Sequence, residues 1–241
     1  MNTQASKQAR QLRLSRQIRQ LYAVDQHGSR LLDDAGNQYL DLDRTPEVLV
    51  DLGVPPNLSA ATLAGSKFKN LGEVRAWTQA MLDDTLDEHC AVIIGKGGNY
   101  TAAAILGNAV RRGLTVSWYT WHNFTRRYTE RINHGRMLTS GNAEEASSAA
   151  EMITNAEDED DYLSSVYDVL ALIEFDINDV RDFAVPEICA LIRQRTAFGR
   201  ATVVTVPAAN SDVMAENSQS FGARGSLLRL FEHEAKAFDG R

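Results

Sequence analysis

The sequence predicts an α/β domain built on a parallel sheet, and three observations carry that expectation. Ala91–Ile94 is a short apolar run rich in β-branched residues, the pattern of a strand buried on both faces. Gly95, Lys96, Gly97 and Gly98 follow as a turn that residues with larger side chains could not easily make. Tyr100–Arg112 then reads as an Ala-rich helix closed by Gly113, and Thr115–Trp121 begins a second strand. Strand, glycine turn, helix, strand is the βαβ unit that nucleotide-binding folds use.

Taken in order, the chain starts with Lys7, Arg10, Arg13, Arg16 and Arg19 and has no acid in its first 23 residues. Leu14, Ile18, Leu21 and Tyr22 recur at helical spacing beside them. That is a basic amphipathic helix, suited to docking on a partner through Arg10, Arg13, Leu14, Ile18 and Leu21, or else a solvated helix packed on its own domain. Arg30–Leu42 alternates around Asp34-Ala35-Gly36-Asn37, as a small hairpin would. Pro55 and Pro56 predict an extended linker within Gly53–Phe68. The boundary is drawn there, with an appendage over 1–52 and the main module over 53–241.

Val74–Leu86 is an amphipathic helix feeding the first strand. Thr139–Tyr162 is polar and acidic, with Glu157-Asp158-Glu159-Asp160-Asp161 together, and reads as solvated helix and loop. Tyr167–Phe175 is a third buried strand. Pro186–Thr196 is a helix with its proline near the first turn, leading into FGRATVVTVPAAN. After Phe221–Phe231 the tail to Arg241 is short.

Composition sets outer limits. With 241 residues, 44% hydrophobic and 24% charged, the chain is that of an ordinary soluble protein with a sizeable core. A net charge of −7 excludes nucleic-acid binding through bulk electrostatics and leaves only local basic patches. Cys90 and Cys189 sit in apolar surroundings and read as core thiols of a reducing compartment. No apolar run reaches membrane-spanning length, and the basic N-terminus lacks the apolar stretch of a secretory signal, so a cytoplasmic location is expected. The five histidines form no ligand pattern, and no metal site is expected.

A working phosphate loop needs G-x-x-x-x-G-K-[ST], in which the backbone cradles phosphates, Lys neutralises charge and the hydroxyl holds Mg²⁺. Counting from Gly95, the Gly, Lys and hydroxyl places hold Tyr100, Thr101 and Ala102. Counting back from Thr101, the two glycine places and the lysine place hold Ile94, Asn99 and Tyr100. Neither register works.

The stretch GKGG-NYTAAAI nevertheless resembles the AAA+ module of the DnaC/DnaI-type replicative helicase loaders and their IstB-like relatives, whose loop reads G-K-x-G-T-G-K-[TSN]-H-L-A-A-A-I. The lead-in GVPPNLSAATL is similar to that family's proline-bearing lead-in, and YDVLALIEF resembles its third strand. RQRTAFGRATVVT and FGARGSLLRL resemble its later motifs, so that the likeness runs over about Gly53–Arg229. The resemblance implies a parallel sheet of the AAA+ or P-loop type flanked by helices, with a small N-terminal helical and hairpin appendage. It also implies a degenerate nucleotide site made of Gly95, Lys96, Gly97, Gly98, Asn99 and Thr101. Glu174 stands in the water-priming place, but Ile173 replaces the metal-organising Asp and Val206-Pro207 replaces the γ-phosphate sensor pair. Arg224 and Arg229 fall near the places of the arginine fingers, spaced by five rather than four.

One stretch invites a nucleic-acid reading of its own. Ser117–Arg136 interleaves Trp118, Tyr119, Trp121, Phe124 and Tyr128 with Arg126, Arg127, Arg131 and Arg136 against one acid, Glu130. Aromatic faces beside arginines are what a single-stranded DNA site uses, and Trp121, Arg126, Arg127, Tyr128 and Arg131 are its candidates. The alternative is that the rings are core and the arginines a solvated face. The reading as a whole is a loader-like protein that binds a DnaB-type replicative helicase, and single-stranded DNA, with a homo-oligomer in view. It carries no cofactor, or weakly bound ATP or ADP, and Glu174 is vestigial. A phage or mobile element would suit such a reduced loader. Two alternatives stay open: a ParA/MinD-like or otherwise active ATPase, since GKGG also resembles that family's loop, and an inhibitor that sequesters a helicase or host loader.

Overall fold

A computed structural model describes residues 42–138, 147–152, 154, 163–210 and 222–240. The expected N-terminal basic helix lies outside these residues, as do the expected hairpin apart from Leu42 and most of Thr139–Tyr162. The elements are helices α1 (Thr45–Asp51), α2 (Pro56–Ser59) and α3 (Leu71–Leu82), strand β1 (Cys90–Ile94), helix α4 (Gly98–Arg111), strand β2 (Val116–Thr120) and helix α5 (Trp121–Met137). After these come strand β3 (Val169–Ile173), helix α6 (Val185–Ala197), strand β4 (Ala201–Val206), helix α7 (Ala223–His233) and strand β5 (Lys236–Asp239).

All five strands are parallel, in the order β2-β3-β4-β1-β5. A parallel sheet needs crossovers that lay helices on its faces, so both faces are buried and its strands read as unbroken apolar runs. Alternate residues divide between two cores. Ala91, Ile93, Val169, Ala171, Ile173 and Val203 pack with α1, α3 and α4. Val92, Leu170, Leu172, Val204 and Val206 pack with α5, α6 and α7. Helix α4 is buried nearly all round, with Ala102, Ala103, Ala104, Ile105, Leu106 and Ala109 inaccessible to solvent, which is why it reads as alanine-rich rather than amphipathic.

Three features depart from the sequence expectation. Helix α1 lies on the appendage side of the boundary drawn near Gly53, yet Val48 and Leu49 are core residues packed with α4. Pro55 is extended, as a residue before proline should be, but Pro56 opens the short helix α2 instead of prolonging a linker. The tail forms β5, paired along the edge of β1 from Ala91↔Lys236 to Ile94↔Asp239. Gly240 follows β5, donates its N–H to the Ile94 carbonyl at 2.9 Å and leaves room for the Phe68 ring, which a Cβ there would meet at 2.4 Å. The Asn70 amide donates to the Asp239 carbonyl at 2.8 Å, so lead-in and C-terminal strand close the same edge.

At the opposite pole, where β3 and β4 begin, Arg195 is fully buried on α6. Its guanidinium donates to Thr202 Oγ1 at 3.0 Å and to the carbonyls of Leu163, Tyr167, Asp168 and Ala201. Burial pushes its pKa down to about 9, against the pull of the Asp168 carboxylate, and this still leaves it charged at neutral pH. Asp168 itself accepts from the Thr115 N–H at 2.7 Å and pairs with Arg200.

Candidate functional site

The glycine turn sits at the C-terminal rim of the sheet, where α/β folds bind ligands. Only Gly95, Lys96 and Gly97 separate β1 from α4. Gly97 has φ +88°, open to glycine and costly to other residues, and it turns the chain straight into the helix. A Cβ on Gly98 would meet the Ile93 carbonyl at 3.4 Å and Thr205 at 3.6 Å, so α4 starts hard against β1 and β4. The Gly95 N–H is already given to the Val206 carbonyl at 2.9 Å. Lys96 is exposed at the turn.

The first turn of α4 is turned inward. The Thr101 hydroxyl is buried, donates to the Gly97 carbonyl at 2.9 Å and lies 2.9 Å from the Ser66 hydroxyl, so it is not presented to a metal ion. Tyr100, in the lysine place of the second register, accepts from the Thr62 N–H at 3.3 Å. The Asn99 amide donates to Glu174 Oε1 at 2.9 Å, and its carbonyl oxygen accepts from the Thr205 hydroxyl at 2.8 Å. Thr205 Oγ1 also accepts from the Glu174 N–H at 2.9 Å. Glu174 has φ +64°, a conformation that costs a non-glycine residue energy and persists where surrounding bonds over-determine it. Thr205 closes the stretch RQRTAFGRATVVT that resembles a family motif, but the sequence gives it no part in this network, which only the fold assembles.

Around this rim, Ile173 is buried in the core and offers no metal ligand. Asp176 does not replace it: its carboxylate accepts from the Asn178 N–H at 2.9 Å and caps a turn of 3₁₀ helix. Among the described residues no group of three or more His, Cys, Asp or Glu could hold a metal ion. Burial pushes the Cys90 thiol up to about 12, and that of Cys189 upward as well, the direction expected of thiols packed in apolar surroundings.

The arginine-finger candidates lie on α7. Arg224 donates to the Val180 carbonyl at 3.1 Å and pairs with Asp182 at 3.3 Å, while Arg229 donates to Ser226 Oγ at 3.1 Å.

The aromatic stretch corrects the single-strand reading. Trp121 and Tyr128 are core, not stacking platforms: Trp121 packs on Phe175 at 4.5 Å between ring centroids, and Phe124 links it to Tyr128. Arg127 lies over the Tyr119 and Phe124 rings, and Arg131 over Tyr128. Arg131 also pairs with Glu187 of α6 at 3.3 Å, so these two arginines fasten α5 to its own domain. Arg126 is exposed and pairs with Glu130 one turn away.

No protein-family model matches the sequence, and no curated protein matches it significantly. Solved structures do match in shape. AMPPCP-bound DnaA from Aquifex aeolicus aligns with a TM-score of 0.52 at 12% identity, over 74% of this chain and 50% of that one. What is shared is the fold, a parallel sheet flanked by helices. DnaA bound to AMPPCP and single-stranded DNA aligns with a TM-score of 0.50 at 14% identity, over 77% of this chain and 50% of that one. DnaI aligns with a TM-score of 0.49 at 10% identity, over 78% of this chain and 91% of that one. The chain thus spans about half the length of the DnaA chains it matches, and at such identities the likeness is one of fold. Among the described residues no helix is long and apolar enough to cross a membrane.

Proposed function

We propose that the chain is a replication protein of the helicase-loader kind that docks on a replicative DNA helicase and does not hydrolyse ATP. The carrying observation is the rim itself. A three-residue turn replaces a phosphate cradle, and the next three side chains, Asn99, Tyr100 and Thr101, are bonded within the protein. With Ile173 buried in the metal-organising place, the groups that would bind phosphate and metal are spent on the fold or missing. Each such group is typically worth several kcal/mol in the transition state. Steady-state ATP turnover, measured with and without DNA and a replicative helicase, is therefore expected at background and unchanged by Glu174→Gln. Turnover that Glu174→Gln abolishes would overturn the reading, and Lys96 would become the first phosphate ligand to test.

The helicase as partner is supported by the motif order of the sequence, and the basic segment Met1–Tyr22 is its proposed docking element. Deleting that segment is expected to leave the melting temperature of the module unchanged and to abolish capture by immobilised helicase. Full-affinity capture by the truncated chain would put the docking surface elsewhere. For single-stranded DNA, the loss of Trp121 and Tyr128 to the core leaves electrostatic contact by Arg126 and the basic N-terminal segment. A homo-oligomer using Arg224 as a finger requires that arginine to leave Val180 and Asp182 first.

A further inference from the structure

Asn99 is the hinge of the rim network, and its position is informative. It is the second residue of α4, and its one amide spans the ends of two strands: the donor side meets Glu174 just past β3, and the acceptor side meets Thr205 in β4. The Glu174 backbone is held in a left-handed conformation at the same point, with its own N–H given to Thr205. The next residue extends the stitching, since the Phe175 N–H donates to the Thr205 carbonyl at 2.7 Å and the Asn210 amide donates to the Phe175 carbonyl at 3.1 Å. The exposed Glu174 carboxylate is thus held by a neutral donor from the helix that follows the glycine turn.

We infer that Asn99 is a built-in lock: its amide holds Glu174 and Thr205 so that the rim keeps one arrangement with no ligand present. The lock fixes the junction of α4, β3 and β4 by protein–protein hydrogen bonds alone, so whatever surface that junction supports is constitutive and does not cycle with a nucleotide. This inference rests on the proposed non-hydrolytic reading, and the two are tested separately.

The test is a swap of charge and donor across the 2.9 Å contact. In Asn99→Asp two carboxylates face each other, and the folding equilibrium constant, from urea denaturation, is expected to fall by about tenfold or more. Adding Glu174→Gln restores a donor opposite the introduced carboxylate, which still accepts from Thr205, and is expected to bring stability back to within about threefold of the parent. Effects of N99D and E174Q that simply multiply, with no rescue, would overturn the lock. Should N99D fail to fold, the truncation cycle of N99A, E174A and their double variant decides instead. A coupling of about threefold or more supports the lock, and independence overturns it. Thermal shift of the unmodified protein with Mg·ATP tests the other reading: a raised melting temperature would challenge the nucleotide-free function while leaving the Asn99–Glu174 coupling to be judged on its own result.

Discussion

Replacing Arg195 by Met is expected to lower folding stability by about 3–5 kcal/mol, a large share of what a domain of this size has. Methionine follows the apolar stem but stops short of the guanidinium, so part of the loss is the space left there and most of it lies in the polar partners. It comes from the acceptors left behind. The fully buried guanidinium serves Thr202 Oγ1 and four backbone carbonyls, those of Leu163, Tyr167, Asp168 and Ala201. A buried acceptor without a donor costs its full desolvation, about 1–3 kcal/mol, although relaxation and entering water recover part of the sum. Asp168 would also lose a compensating charge while keeping its pair with Arg200. Arg195→Lys preserves the charge but not the planar fork that reaches several carbonyls at once, and should fall between the two. Urea denaturation of the three proteins measures this directly. A loss below about 1 kcal/mol for the Met variant would mean that the carbonyls find other partners.

Arg195 also shows how far the sequence can be read. A motif places it, but nothing in that motif says that it is buried or what it touches. The strands and helices around it are legible for a simple reason: a sheet covered on both faces makes apolar runs, and Ala91–Ile94, Tyr167–Phe175 and Pro186–Thr196 each contain or match an observed element. Gly113, with φ +84°, closes α4 where expected. The short edge strand is not legible, because Lys236–Asp239 buries only Phe238 and owes its form to pairing with β1, far away in sequence. Helix α1 escapes the sequence for a related reason: seven residues before a proline pair have little helical preference of their own and are held by contact with α4. At the rim, the sequence shows only that GKGG-NYTAAAI departs from the G-x-x-x-x-G-K-[ST] pattern. It cannot reveal that Asn99, Tyr100 and Thr101 bond other parts of the chain, since Thr62, Ser66, Glu174 and Thr205 come to them only in the fold.

The second large effect is expected at Trp121, where two readings of one stretch predict opposite results. In linear sequence its rings and arginines look interleaved, as a single-strand site would require. On a helix, Trp121, Phe124 and Tyr128 fall at i, i+3 and i+7 and share one face. That face is the one buried against Phe175, which in turn packs on the α7 residue Phe231, and the Trp121 indole N–H donates to the Asp176 carbonyl at 2.9 Å. Trp121→Ala is therefore expected to destabilise the protein by about 3–5 kcal/mol through the cavity it leaves. Trp121→Phe fills most of that space and forfeits the hydrogen bond, so a smaller loss of about 1–2 kcal/mol is expected. A stacking tryptophan would behave the other way: its removal would weaken oligo-dT binding by about 1–3 kcal/mol per base contact and change stability by no more than about 0.5 kcal/mol. Chemical denaturation and fluorescence anisotropy with oligo-dT, run on the folded Phe variant and the parent at several salt concentrations, separate the two. Equal stability with lost DNA binding would return Trp121 to the surface and restore the single-strand site over Ser117–Arg136. Lost stability with unchanged binding would leave any DNA contact to exposed charge, to be read from the salt slope of Arg126→Ala.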